Sequence, residues 1–305
     1  AQASSVYAKM LVVNLYDTLY RYKYLARPYE LTPNLADGMP QVSTDGLIYT
    51  IRINPCARFI DDEAFPGGSG RAVTAEDFVF SLKRHFDPAT RSRGAWLWQD
   101  RIVGMKQWKA DGADYDTPVS GLRAIDERTV QIQLITPFPQ LTHTLAQGFS
   151  AVVQREAVEH YGAGFAINPV GSGPYRLDGF DSSGATLLRN GSFRHEPFNL
   201  EAEGADPAAA GVGSFEHLEG RTPPFIDRIE VQFIAEDAAR WNTLIAGEAD
   251  FIKVPVSQFD SVLASRAPPR LNAEMEARFD LAANLESGFV HTDFNMADPA
   301  IGYHP

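Results

Sequence analysis

Asn168-Pro169-Val170-Gly171-Ser172-Gly173-Pro174-Tyr175 packs two prolines and two glycines into eight residues, between sequence of helical character and sequence of strand character. Each proline fixes φ near about −65° and pushes the residue before it out of the helical region, while each glycine permits positive φ or a close backbone approach. Covalent geometry therefore sets the path of the chain. Taken alone the stretch fits an ordinary surface turn as well as a rigid crossover between two parts of the protein. Its flanks have to decide.

Upstream, Leu11, Val12, Leu15 and Leu19 stand at helical spacing within Val6 to Arg27. Ser43-Thr44-Asp45-Gly46 is a hairpin turn leading into an alternating strand from Leu47 to Ile53. Thr74-Ala75-Glu76-Asp77 opens the clearest helix, with Thr74 as N-cap, Asp77 in a capping-box position and an apolar stripe of Phe78, Val79, Leu82 and Phe86. A helix is expected from Ile102 to Trp108. A hairpin follows through Val119 to Ala124 and Val130 to Leu134, then short helices at Leu141 to Leu145 and Arg155 to Tyr161.

Downstream, Tyr175 to Phe180 and Ala185 to Arg189 form a hairpin, and a Gly/Ala/Pro-rich loop runs from about Glu203 to Pro224. Ile226 to Ile234 alternates as a half-buried strand. A helix begins at Glu236-Asp237 and stops at Gly247, where a left-handed C-cap is expected. A strand at Asp250 to Ile252, a helix from Val256 to Ser265 and a last strand-like piece at Asp293 to Met296 complete the pattern. Such alternation indicates a mixed α/β protein.

The 305 residues suffice for a large core and about two domains, and 44% hydrophobic with 22% charged residues is globular composition. A net charge of −12 argues against phosphate-backbone binding, so nucleic acid is excluded as the main partner. The single cysteine, Cys56, allows no intrachain disulfide and no thiolate zinc site, and reads as a buried, inert thiol. No apolar run is long enough to span a bilayer, and no signal peptide is visible at the start.

The order of motifs resembles the peptide/nickel-type extracellular solute-binding proteins of ABC transporters, the family-5 group that includes oligopeptide- and dipeptide-binding proteins. The resemblance rests on Leu15-Tyr16-Asp17-Thr18-Leu19-Tyr20, on Pro33 to Ala36 with Ser43 to Arg52, and on Arg71 to Arg84. It continues through Asn168 to Tyr175, Ala246-Gly247-Glu248-Ala249-Asp250 and Phe294 to Pro299. One such motif is weak; six in family order are strong.

The resemblance implies a periplasmic binding protein-like II fold of the cluster C type, bilobal with an extra inserted lobe. Residues 1–44 and 168–281 would form one lobe, 45–167 the smaller inserted lobe, and 282–305 the root of the third. Family members are longer at both ends, so the chain is expected to be a fragment, a nicked protein or an incompletely traced one. The implied function is capture of a peptide or similar small polar molecule in an interlobe cleft and delivery to a membrane permease, from a periplasmic or cell-surface location. No cofactor and no catalysis are expected. The implied partners are the ligand, the permease and, for a nicked protein, the remainder as a separate chain.

The resemblance also nominates residues. Trp96 and Trp98 would offer an aromatic from the inserted lobe, Lys253 and Val254 would follow the Gly-Glu-x-Asp motif, and Thr292, Phe294 and Asn295 would enter the cleft. Packing beneath the loop from Arg91 to Gln99 competes for both tryptophans, and a solvated lysine competes for Lys253. Tyr16 and Asp17 read as structural. Asn168, Pro169, Gly171, Gly173, Pro174 and Tyr175 would supply crossover geometry.

Rival chemistries have less to stand on. Ser172 among glycines suggests a serine hydrolase, yet neither Val170 to Gly173 nor Gly67 to Gly70 fits Gly-x-Ser-x-Gly. The seven histidines form no His-x-x-x-His pair, and Asp61-Asp62-Glu63 reads as an acidic surface loop rather than a calcium site. A non-transport scaffold or adhesin on the same fold is the second rival.

Overall fold

The computed structural model describes residues 6–206 and 212–283, together with Thr292, Phe294 and Asn295. The chain divides into two compact units, Ala1–Phe233 and Ile234–Pro305.

In the first unit, α1 (Val6–Leu15) leads to a small antiparallel pair, β1 (Tyr20–Tyr22) with β2 (Leu31–Pro33). β3 (Gln41–Val42) and β4 (Ile48–Arg52) form the expected hairpin. Gly46 takes φ +71°, and the Asp45 carboxylate accepts from the Ser43 hydroxyl and the Leu47 N–H. Such a turn needs both a residue tolerant of positive φ and a side chain that closes on its own backbone.

α2 (Ala75–Lys83) begins as its sequence predicts. The Thr74 hydroxyl accepts from the Asp77 N–H, and the Asp77 carboxylate accepts from the Thr74 N–H at 2.8 Å. Arg71 then ties the cap to the helix at 155–161, donating to both Asp77 oxygens at 2.7 Å and to Glu156 at 2.7 and 2.8 Å. α3 (Met105–Ala110) starts three residues later than expected. Ile102 is taken by a bridge to Leu134, and Gly104 at φ +79° turns the chain into the helix.

β5 (Leu122–Asp126) and β6 (Thr129–Gln133) complete an antiparallel sheet of order β3-β4-β6-β5, followed by α4 (Leu141–Thr144) and α5 (Arg155–Tyr161). Beyond the crossover, β7 (Tyr175–Phe180), β8 (Gly184–Arg189) and β9 (Arg228–Gln232) make a second antiparallel sheet in sequence order. A continuous core joins Leu19, Ile51, Phe59, Phe78, Trp98 and Val170, and a smaller cluster joins Leu15, Tyr175 and Leu187. The inward positions of β4 and β6 alternate as a half-buried sheet requires.

In the second unit, α6 (Asp237–Ile245) ends as expected at Gly247, φ +75°, whose N–H donates to Leu244 O while Glu248 N–H donates to Thr243 O. The rest departs from expectation. Asp250 to Ile252 forms no strand, because no segment among the described residues pairs with it, and Phe251 is exposed. The helix expected from Val256 to Ser265 is confined to a 3-10 turn at 256–258 and α7 (Phe259–Val262). β10 (Leu263–Arg266) then pairs with β11 (Pro269–Leu271), whose ladder takes the backbone groups a longer helix would use. α8 (Ala273–Glu276) is capped by Asn272.

Two further expectations need correction. The loop at 203–224 contains a 3-10 segment, Val212–Leu218. Cys56 is exposed, not buried. It sits in a turn closed by its own N–H on Asn54 Oδ1, where Ala57 and Phe59 take the inward positions instead. The strand expected at 293–296 lies largely outside the described residues.

Candidate functional site

The crossover is built by contact. Gly171 and Gly173 lie against the backbone of Leu15, at the end of α1. A Cβ on Gly173 would stand 2.6 Å from Leu15 C, and one on Gly171 would overlap the Leu15 carbonyl oxygen. Neither glycine has positive φ, so close approach is what excludes a side chain. The segment is stitched on both sides: Gly173 N–H donates to Leu15 O, Ile60 N–H to Gly171 O, and Asn190 Nδ2 to Gly173 O.

Ser172, between them, is buried and donates its hydroxyl to Asp17 Oδ2 at 3.0 Å. Arg194 Nη1 donates to the same oxygen at 2.7 Å, and Asn34 joins both residues, accepting from Arg194 at 2.8 Å and donating to Asp17 at 3.2 Å. Burial opposes the Arg194 charge, and the Asp17 carboxylate more than offsets that opposition. This geometry answers the hydrolase reading: a nucleophile needs a base and an open face, whereas the Ser172 hydroxyl is closed in and committed to a carboxylate.

Of the nominated ligand contacts, Trp96 opens onto a cavity of about 290 Å³. The cavity is walled by Lys9 from α1, Gln140, His143 and Gln147 from around α4, and Phe149. Trp96 is 66% exposed, while Trp98, two residues on, is 0% exposed and belongs to the core. Trp96 stands inside the 3-10 turn at 95–97 and lines the cavity, whereas Trp98, the residue that caps the turn, does not.

His85, near the end of α2, braces two walls. Its Nε2 donates to Phe149 O at 2.6 Å, and its Nδ1 accepts from the Ser92 hydroxyl at 2.6 Å on the loop leading to Trp96. A carbonyl can only accept, which fixes the neutral tautomer. Burial pushes its pKa down to about 4. Gly94 lies so close to the Phe149 ring that a Cβ would stand 2.6 Å from it. On the outer wall, Lys9 Nζ rests 5.2 Å from the Phe149 ring centre, and His143 Nδ1 bonds the Tyr22 hydroxyl at 3.1 Å.

The remaining nominated residues lie in the second unit: Lys253 is exposed, Val254 half-buried, and Thr292, Phe294 and Asn295 exposed. Sequence reasoning missed Lys9, His85, His143, Phe149 and Arg194. Each stands outside a recognisable motif and becomes a neighbour only through tertiary folding. Among the described residues no group of three or more His, Cys, Asp or Glu could hold a metal ion. In the Asp61-Asp62-Glu63 loop, Asp61 holds the Gly70 N–H, and Asp62 accepts from Ala64 N–H and the Tyr161 hydroxyl.

Comparison with known proteins adds the lineage. The family model described as bacterial extracellular solute-binding proteins, family 5 Middle, matches residues 30–300. The glutathione-binding protein GsiB of Escherichia coli O1:K1 is 30% identical over 137 residues, 45% of this chain and 22% of that protein. Among solved structures, a periplasmic oligopeptide-binding protein from Borrelia burgdorferi gives a TM-score of 0.65 at 19% identity, covering 85% of this chain and 45% of that one. The substrate-binding domain of an oligopeptide ABC transporter from Bacillus anthracis gives 0.61 at 21% identity, covering 82% and 42%. The chain thus spans less than half of the structures it matches, and the curated match spans about a fifth of GsiB.

Proposed function

Because the chain belongs to the bacterial extracellular solute-binding proteins of family 5, we propose that it is part of a receptor that captures a small polar solute, a peptide or similar molecule, for an ABC importer. The observation that carries this reading is the extent of the family match, residues 30–300, which takes in the two larger sheets, the crossover and every wall of the cavity beside Trp96 except Lys9. The family is one of binding proteins rather than enzymes. The name of the curated relative, glutathione-binding protein, supports a ligand of peptide chemistry.

In this reading, residues 45–167 form the inserted lobe, and 1–44 with 168–281 form the lobe it interrupts. Asn168 to Tyr175 fixes how the two are joined, its glycines seated on Leu15. Trp96 is the aromatic offered to ligand in the first unit; in the second unit, taken by itself, Lys253, Val254, Thr292, Phe294 and Asn295 are the ligand-contact candidates. Ligand affinity arises from burial between lobes that close about a hinge, with fixed polar groups replacing the water shell. The protein works outside the cytoplasmic membrane and hands its cargo to the permease. No helix among the described residues is long and apolar enough to cross a membrane.

Native mass spectrometry of the full-length protein tests this directly. A co-bound small molecule in the peptide range, with a smaller radius of gyration by X-ray scattering at saturation, is the expected result. A protein that stays ligand-free in a peptide mixture and keeps one radius throughout would overturn the receptor reading.

A further inference from the structure

The geometry points to an anion-bearing ligand: we propose that the cavity beside Trp96 takes the carboxylate of a ligand that also carries an apolar group, with Lys9 as its counter-charge. The proposal rests on the receptor reading and adds the chemical class of the ligand. Three observations converge on it.

The first is charge. The chain carries a net charge of −12, yet among the described residues no Asp or Glu lines this cavity and Lys9 does. Exposed charges farther off than about 8 Å are largely screened at physiological salt, so the local cation outweighs the distant acidic surface. The second is availability. No carboxylate among the described residues lies within ion-pair distance of Lys9; its ammonium is placed over the Phe149 ring at 5.2 Å. A ring face positions a cation without neutralising it, so the charge remains free to meet an anion.

The third observation is shape. Trp96 is 66% exposed beside Leu97 and Phe149, leaving a large apolar surface uncovered at the same cavity. Uncovered aromatic surface gains from burial by an apolar ligand group, and the Gln140 and Gln147 side chains add neutral donors and acceptors to the same lining. A cation and an uncovered aromatic ring lining one cavity select for a ligand that is anionic and apolar together. Two cations or two carboxylates would select otherwise.

The test uses the full-length protein and two tripeptide libraries of identical sequence, one with free C-terminal carboxylates and one amidated, read by native mass spectrometry. The wild type is expected to retain free-acid members with apolar residues. Lys9→Met should lower that retention roughly tenfold, the loss of one charge-assisted contact. Lys9→Glu should reverse the preference toward the amidated set. Lys9 is exposed, so both variants should keep the wild-type circular dichroism spectrum. If wild type and both variants retain the two libraries equally, the anionic assignment is overturned while the receptor reading stands. If the wild type retains no member of either library, this proposal is overturned; the receptor reading falls with it only if the radius of gyration also stays constant across the peptide mixture.

Discussion

Arg194 and Asp17, 177 residues apart in sequence, meet as a buried ion pair at 2.7 Å, with side chains 3% and 6% exposed. Ser172 and Asn34 occupy further hydrogen-bonding positions around them. The crossover is therefore anchored by charge as well as by close packing. Removing one partner of such a pair leaves an uncompensated buried charge, at about 3–5 kcal/mol. Arg194→Met should lower the unfolding free energy by that amount in urea titration. The double variant Asp17→Leu/Arg194→Met, which removes both charges, should recover much of the loss. A double variant as unstable as the sum of its parts would show that the two residues act separately.

The Leu15 contact makes a second test. Gly171→Ala places a methyl group on the Leu15 carbonyl, so the end of α1 or the crossover must shift, at about 1–3 kcal/mol for an overpacked site. Gly191 is the control. Its Cβ would meet nothing within 4 Å and its φ is not positive, so Gly191→Ala should be neutral or slightly stabilising. Equal effects of the two substitutions on the urea midpoint would remove close approach as the reason for Gly171.

His85 supplies the pH dependence. Its folded-state pKa is depressed to about 4 from an ordinary 6.5, first of all by burial, so folding favours the neutral ring. The sign follows: its contribution to stability is complete above pH 6.5 and is lost as the pH falls through 6.5 toward 4, at up to about 1.4 kcal/mol per pH unit. His85→Gln keeps a donor for Phe149 O and does not titrate. Between pH 7.5 and 4.5 the wild type should therefore lose about 2–3 kcal/mol more than the variant. Parallel pH profiles would place the acid sensitivity elsewhere.

The sequence resolved local features and left tertiary ones dark. The Asp45-Gly46 turn, the Thr74–Asp77 capping box and the Gly247 helix end were readable because each is decided by residues within a few positions of one another. The crossover was readable as rigid but not as anchored, since nothing near Ser172 in sequence announces Arg194. The second unit is the least legible in sequence. Leu263 to Ser265 read as the end of a helix begun at Val256, and pairing with Pro269–Leu271 makes them strand instead. Residue type alone puts Cys56 inside, whereas turn geometry rather than polarity places it outside. The cavity is half legible: the sequence points to Trp96, but Lys9 and Phe149 reach it from segments 87 positions before and 53 after.

Trp96 and Trp98 give the sharpest separation of ligand contact from core packing, since they differ by two positions and by nearly the whole range of exposure. Trp98 fills the core against Ile102 and its neighbours, and its truncation to alanine should cost about 3–5 kcal/mol through cavity formation. Trp96→Ala removes a ring that packs little in the unliganded chain, so its stability change should stay within about 0.5 kcal/mol. Binding should rank them in the opposite order. In the full-length protein, Trp96→Ala is expected to weaken retention of the free-acid tripeptides at least tenfold while the unfolding midpoint holds, because the lost contact exists only when ligand covers the ring. Conservative Trp96→Phe should restore part of that affinity. Retention unchanged in Trp96→Ala would remove this ring from the binding surface and return it to the status of an exposed loop residue.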